Sequence, residues 1–389
     1  MSIIPAILLS LTIMVPAYAE NVFWRYAVDR YERSVLMDKL EVPSGLNPYE
    51  FLAGELGYDA WITRDEKSVV ILSEQASSGE VPILCLHKIG DDDNYALTPQ
   101  RFRELLQYIN ANGWYMVTDS QYLKKDFSRV PTGLKPIVMG SDDASYGTLI
   151  YQTVGDSLTG RVRRFFGKPI MERDSMAAIL ERYAKKEDNR INFTFYVSFD
   201  AVPFRQLDGY KNPGFPYRNI PVVAEKIRYL DNNFILGIHA LSHIYAYEMG
   251  IHEFAEDVLA AWNVLDEYAG AEALTVQTLA FPFGIENLSA ELESLISSLS
   301  RNGRRLVGGF DLDNAPAAPP GSLKKPFEVS RINVDNSRWQ ETLNTLNSIN
   351  AVSARREIIW ETASKRLPNE RLLLGAAPSD GVWVLVKDD

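Results

Sequence analysis

Two of the four histidines in the chain stand four residues apart at the end of an apolar run, Phe234-Ile-Leu-Gly-Ile-His239-Ala-Leu-Ser-His243. Imidazoles at that spacing come to one side of a helical turn, where they can grip a single metal ion. A second apolar run, Ile137-Val-Met-Gly-Ser, ends in the adjacent carboxylates Asp142 and Asp143. Such a pair alone is commonly the solvated start of a turn. A third run, Thr278-Leu-Ala-Phe, leads into Pro282-Phe-Gly284, where fixed backbone could present an N–H group to a developing negative charge.

All three stretches sit at the ends of runs that read as strands, and α/β folds place their reactive side chains at the C-terminal ends of strands. Further strand-like runs are Val81-Pro-Ile-Leu-Cys-Leu and residues 114–118, 136–139 and 191–197. Helical periods lie between them. One begins at Thr98-Pro99, an N-cap followed by a first-turn proline, carries Phe102, Leu105, Leu106 and Ile109 on one face, and stops near Asn112-Gly113. Others cover residues 176–185, 220–230, 254–268 and 339–349. Strands alternating with helices predict parallel βα units, either as an open sheet or as a (β/α) barrel. Before them, residues 22–40 read as helix-like, 58–62 and 68–72 as short strands, and the polar 74–80 as a boundary. At the end, residues 371–374 and 382–386 around Pro378-Ser-Asp-Gly read as a hairpin.

The chain has 389 residues with 40 basic and 51 acidic side chains, a net charge of −11. That balance argues against a nucleic-acid backbone or an anionic membrane as the main partner, because both reward clustered Lys and Arg. Apolar residues at 46% and charged residues at 23% are ordinary globular values. The single cysteine, Cys85, forbids an intramolecular disulfide and a multi-thiolate zinc site. Residues 3–15 are almost unbroken apolar sequence, followed by Ala17-Tyr-Ala19, the small-x-small pattern of a secretory signal peptide. An apolar run of roughly 14 residues is shorter than the ~20 that a spanning helix needs. The expectation is therefore a signal peptide over 1–19 and an exported protein, periplasmic or extracellular, with no membrane span in its mature chain.

In order, these pieces resemble the polysaccharide deacetylase superfamily, the carbohydrate esterases with a NodB-homology domain. Gly140-Ser-Asp142-Asp143-Ala144 is similar to its Thr-Phe-Asp-Asp-Gly motif, His239-Ala-Leu-Ser-His243 to its His-Ser/Thr-x-x-His, and Phe281-Pro-Phe-Gly284 to its Tyr-Pro-Tyr-Gly. Leu86-His87-Lys-Ile, Thr98-Pro-x-x-Phe102 and Arg331-Ile-Asn-Val extend the match over residues 81–340. The resemblance implies a (β/α) barrel, distorted or incomplete, over 81–350, with small extensions at 20–80 and 351–389. It implies that Asp143, His239 and His243 hold a divalent ion, zinc in most such sites. Two histidines with a carboxylate would also suit iron(II) oxygenases. Asp142 is the implied general base, and the Phe283 N–H the implied oxyanion donor.

The departures from that pattern bear on activity. Ala144 replaces a glycine, Gly140 and Ser141 replace threonine and phenylalanine, and no histidine follows His252, although many members use a late histidine as general acid. That role is either vacant or filled from elsewhere: His87, delivered to the same face by its strand, is the candidate substitute, the alternative being a satisfied structural histidine. Arg331 could support the base through a charge-assisted bond or merely cap the fold. His252 reads as a surface residue, and Asp91-Asp92-Asp93 as a solvated loop. Residues 145–190 look like an insertion whose Tyr146, Tyr151 and basic 161–164 run could shape a groove or cover an edge. The expected activity is removal of acetyl groups from the N- or O-acetylated sugars of a polysaccharide. The alternative is a non-catalytic carbohydrate-binding or envelope protein that keeps the fold.

Overall fold

Along each apolar run alternate residues face two different buried environments, and this parity organises the main unit. In residues 135–141, Ile137 and Met139 join the large core beneath the helices, whereas Val138 joins a smaller core inside the sheet. Phe193 and Phe195 point outward in the same sense and Tyr196 inward, as do Leu279 and Ala280. A sheet buried on both faces needs continuous apolar strands, which is why these runs show little polar alternation.

The computed structural model describes residues 23–28, 35–40, 43–46, 60–65, 68–76, 79–91, 94–124, 127, 130, 134–155, 161–187, 191–199, 221–269, 275–318, 323–352, 354–361, 372–374 and 385–387. The expected signal segment at 1–19, and Asp92 and Asp93, lie outside them. Two compact units form, Met1–Gln75 with Arg356–Asp389, and Ala76–Arg355.

In the second unit the strands are β1 (Ile83–Leu86), β2 (Trp114–Val117), β3 (Lys135–Ser141), β4 (Phe193–Val197), β5 (Ile235–Ile238), β6 (Thr278–Ala280), β7 (Gly308–Phe310) and β8 (Ile332–Asn333). They form one eight-stranded sheet in the order β7-β6-β5-β4-β3-β1-β8, with β2 pairing β3, and the pairings are parallel. Beyond β7 the chain returns so that Phe310 and Val329 form a parallel bridge, three residues ahead of β8. That bridge curls the two edges toward each other, and the architecture is the distorted (β/α) barrel that the resemblance implies.

Helices α1 (Pro99–Ala111), α2 (Met176–Glu187), α3 (Pro221–Asn233), α4 (Ile251–Ala269), α5 (Ala290–Ser298) and α6 (Trp339–Ser348) alternate with these strands. Helix α1 starts as expected. Thr98 Oγ1 accepts the Arg101 N–H at 3.2 Å, a cap worth about 1 kcal/mol, and Phe102, Leu105, Leu106 and Ile109 are its buried stripe. Inside the barrel the Tyr196 ring fills the axis. A Cβ on Gly237 of the neighbouring strand would lie 2.3 Å from that ring, so only glycine fits there.

The first unit is a five-stranded sheet in the order Val35–Leu40, Phe23–Val28, Ala354–Glu361, Ser68–Ala76, Ala60–Asp65. The helix expected over residues 22–40 is replaced by two antiparallel strands. Their partner explains the difference: Phe23–Val28 pairs with residues 356–361 from the far end of the chain, and such a ladder overrides a weak local helical pattern. Leu372–Leu374 and Leu385–Lys387 pair as an antiparallel hairpin. Among the described residues no helix is long and apolar enough to cross a membrane.

Candidate metal centre

The same parity that fills the barrel also places the polar groups. Continuing β1, β3 and β5 by one inward position past their buried ends gives His87, Asp142 and His239, and the inward position just before β8 is Arg331. The ladders run on to hold them: the Asp142 N–H donates to the Leu86 carbonyl at 2.8 Å and the His239 N–H to the Val197 carbonyl at 3.1 Å. His87, Asp142 and His239 therefore meet at the C-terminal mouth of the barrel, as expected from the strand ends in the sequence, and Arg331, at the start of its strand, reaches Asp142 from within the barrel, its guanidinium 5.6 Å from the centroid of the Tyr196 ring.

Asp143 Oδ1 lies 3.2 Å from His239 Nε2 and 3.0 Å from His243 Nε2. His239 Nδ1 is 2.9 Å from the Ala280 carbonyl, an acceptor, so Nδ1 carries the proton and Nε2 presents its lone pair to the centre. Burial alone would lower His239, but the Asp142 and Asp143 carboxylates outweigh it and raise the imidazole above its ordinary value. Burial pushes Asp143 up, and the two histidines then hold it well below the carboxylate range. Three convergent N and O donors from Asp143, His239 and His243 make a group that can hold a metal ion, and a set of three such donors fits a catalytic divalent ion.

A second group, Cys85, His87 and Asp142, also converges within 4.8 Å. It fits a metal poorly, because burial pushes the Cys85 thiol up and keeps it protonated, while both oxygens of Asp142 are engaged elsewhere. Arg331 Nη1 donates to Asp142 Oδ1 at 2.7 Å and Nη2 to Oδ2 at 2.8 Å. Burial would raise the Asp142 carboxyl; the guanidinium overrides it and holds it at about 2. Arg331 thus supports Asp142, and its Nε donates at 2.8 Å to the Asp311 carbonyl.

His243 does not sit on a helical turn. Residues 239–245 are irregular, and the two imidazoles approach to 5.0 Å between ring centroids because Ala240 and His243 adopt φ of 56° and 52°. Asp143, Ala144 and Phe283 share that left-handed region, at 70°, 51° and 63°. Strain of this kind, about 1–3 kcal/mol per residue, gathers where a site over-determines the backbone. Asp257 on α4 helps impose it, its Oδ2 accepting the N–H groups of Leu241 and Ser242 at 2.7 and 3.2 Å. Asp311 does the same for the third motif, accepting from Ile285 at 2.6 Å. Neither aspartate stands out in the sequence, since nothing local ties them to distant turns.

The remaining candidates separate by position. His87 lies beside Asp142, its Nδ1 buried without a hydrogen-bond partner among the described residues, and burial lowers its imidazole against the pull of Asp143 and Asp142. His252 is 72% exposed, 3.6 Å from Glu291, away from the centre. Phe283 is 68% exposed, with its ring edge-on to His243 at 4.8 Å. Its N–H has no acceptor among the described residues. Tyr95 stands edge-on to His87 at 4.9 Å.

Solved structures with this arrangement of strands and helices exist. The polysaccharide deacetylase BC0361 from Bacillus cereus, 11% identical, matches over 84% of this chain and 92% of its own at a TM-score of 0.50. The fold is that of the polysaccharide deacetylases. BA0330 from Bacillus anthracis, which carries a provisional assignment as a polysaccharide deacetylase, is 12% identical and matches over 82% of this chain and 89% of its own, also at 0.50. No family model matches the chain, and no curated protein matches it by sequence. The likeness is thus one of fold at 11–12% identity, and in this chain the candidate metal group lies at the barrel mouth.

Proposed function

We propose that the chain is an exported, metal-dependent hydrolase that removes acetyl groups from N- or O-acetylated sugars of a polysaccharide or cell-wall glycan. The observation that carries this reading is the pairing of a three-donor metal group with a separate carboxylate, Asp142, whose orientation Arg331 sets. A divalent ion held by Asp143, His239 and His243, zinc in our reading, would supply Lewis acidity for an acyl oxygen and for water.

The chain's own groups divide the remaining work. Asp142 Oδ2 lies 3.9 Å from His239 Nε2, so it can accept a proton from water attacking beside the ligand set. A carboxyl held at about 2 gives that proton up readily. His87, whose ring nitrogen is within 4.8 Å of the carboxylate, is the imidazole that can pass it to the leaving amine or alkoxide. The unpaired N–H of Phe283 is the donor for the tetrahedral oxyanion. The exposed rings of Tyr95 and Phe283 on either side of these groups suit the apolar face of a sugar. Export rests on the apolar 3–15 segment and Ala17-Tyr-Ala19.

Release of acetate from acetylated glucosamine oligomers by the purified chain, lost on chelation and restored by zinc or cobalt, is the direct test. Asp142→Asn should remove turnover and keep the metal. One tightly bound ion with no acetate released from any acetylated glycan would instead favour a carbohydrate-binding protein on the same fold.

A further inference from the structure

The basic run that interrupts the domain between β3 and β4 forms an exposed hairpin. Arg164-Phe165 pairs antiparallel with Lys168-Pro169, leaving Phe166 and Gly167 as a two-residue turn. Both have positive φ, 48° and 79°, the geometry of a turn that favours asparagine, aspartate or glycine at its first position. A phenylalanine there costs about 1 kcal/mol in backbone strain. No packing offsets that cost, because the Phe166 ring is 91% exposed and that of Phe165 68% exposed. The two rings touch edge to face at 4.4 Å.

Around this apolar tip the charge is basic in an otherwise acidic chain. Arg161, Arg163 and Lys168 are exposed and have no acidic partner among the described residues. Arg164 instead anchors the hairpin. It donates to the Gly167 carbonyl at 3.1 Å and grips both oxygens of Glu225 at 2.8 and 2.6 Å. Glu225 lies near the start of α3, at the end of the barrel where the strands finish and the metal centre opens. An edge-to-face pair of phenylalanine rings presents no flat platform for a sugar. Two exposed aromatic rings flanked in sequence by Arg161, Arg163 and Lys168 match the boundary of an anionic bilayer, where rings enter the acyl region and arginine or lysine meets the headgroups.

We propose that the Phe165-Phe166 hairpin is a membrane-docking tip that inserts into an anionic lipid surface and holds the barrel mouth beside it. This goes beyond the hydrolase reading and does not depend on it. Net charge argues against a membrane partner for the chain as a whole; the local patch reverses that sign.

Cys85 is buried and is the only cysteine, so F166C can be labelled at one site with an environment-sensitive fluorophore in the full chain. With vesicles of phosphatidylglycerol in phosphatidylcholine, emission should shift to the blue, and salt should reverse the shift. R161Q/R163Q should weaken it, and F165S/F166S should lower vesicle binding by about tenfold or more with an unchanged melting temperature. Absence of a shift while the chain still co-sediments would assign binding to another segment and overturn the proposal. An equal shift with a soluble anionic polysaccharide and no lipid would overturn it too, making the patch a polyanion site.

Discussion

Arg331 and Asp142, 189 residues apart in sequence, meet as a two-pronged ion pair at 2.7 and 2.8 Å with both side chains only 2% exposed. Such a pair gains little over an apolar one but is costly to break, because the survivor is left buried and uncompensated. Arg331→Ala should therefore lose about 3–5 kcal/mol in urea unfolding. The double change Arg331→Met with Asp142→Leu should lose clearly less than the two single changes summed. Additive losses would mean that the pair is not coupled.

The same pair sets an acid limit. Asp142 is depressed from 3.8 to about 2, so its contribution is present above pH 3.8 and is lost as pH falls toward 2. The loss should reach about 2 kcal/mol. Urea midpoints measured across that window should fall in the parent chain. They should show a smaller fall in the double variant.

Asp119 carries the opposite sign. It is buried at 3% exposure, with Tyr196 donating to it at 2.7 Å, and burial raises its carboxyl from 3.8 to about 6. A raised acid favours the fold when protonated, so stability is lost as pH rises from about 4 through 6, by about 3 kcal/mol. Asp119→Asn mimics the protonated form. It should stabilise the chain at pH 7 by about 1–3 kcal/mol and leave it unchanged near pH 4; equal effects at both pH values would contradict the assignment.

Metal affinity should follow the imidazoles. Protons compete with the ion at His239, and its raised value moves that competition upward in pH, so zinc affinity should begin to fall at a higher pH than an ordinary imidazole would set. Titration calorimetry on apo protein should show affinity strongly reduced in His239→Ala and His243→Ala and nearly intact in His87→Ala. Full affinity in both of the first two variants would remove the metal centre.

Much of this centre is legible in the sequence because strand parity is a local property. An apolar run that ends in a polar residue of the inward phase, as at His87, Asp142 and His239, announces a barrel mouth without any tertiary knowledge. The helical-turn geometry assumed for His243 fails because left-handed residues at Ala240 and His243 make the turn, and neither residue type signals positive φ. Ala144 shows the same difficulty from the other side: at φ 51° it keeps a conformation suited to glycine, so the motif is altered while the backbone shape remains. Asp257 and Asp311 are invisible for a different reason, since their N–H partners lie 16 and 26 residues away. The strands at residues 23–40 depend on a partner more than 300 residues on, which no local pattern encodes.

Phe283 separates backbone from side-chain roles. Its ring is largely exposed and its φ of 63° is one that glycine adopts without strain. Phe283→Gly keeps the N–H that we assign to the oxyanion, relieves that strain, and removes the ring lying against His243. Stability should change by no more than about 1 kcal/mol, because relief of strain offsets the added freedom of the unfolded glycine. If the donor is main chain, kcat should stay within about threefold, since loss of a true oxyanion donor costs a hundredfold or more. KM should rise if the ring stacks on the sugar. Steady-state kinetics on an acetylated oligomer decide between the two roles: a hundredfold fall in kcat with metal content unchanged would place the chemistry in the side chain and reject the N–H assignment.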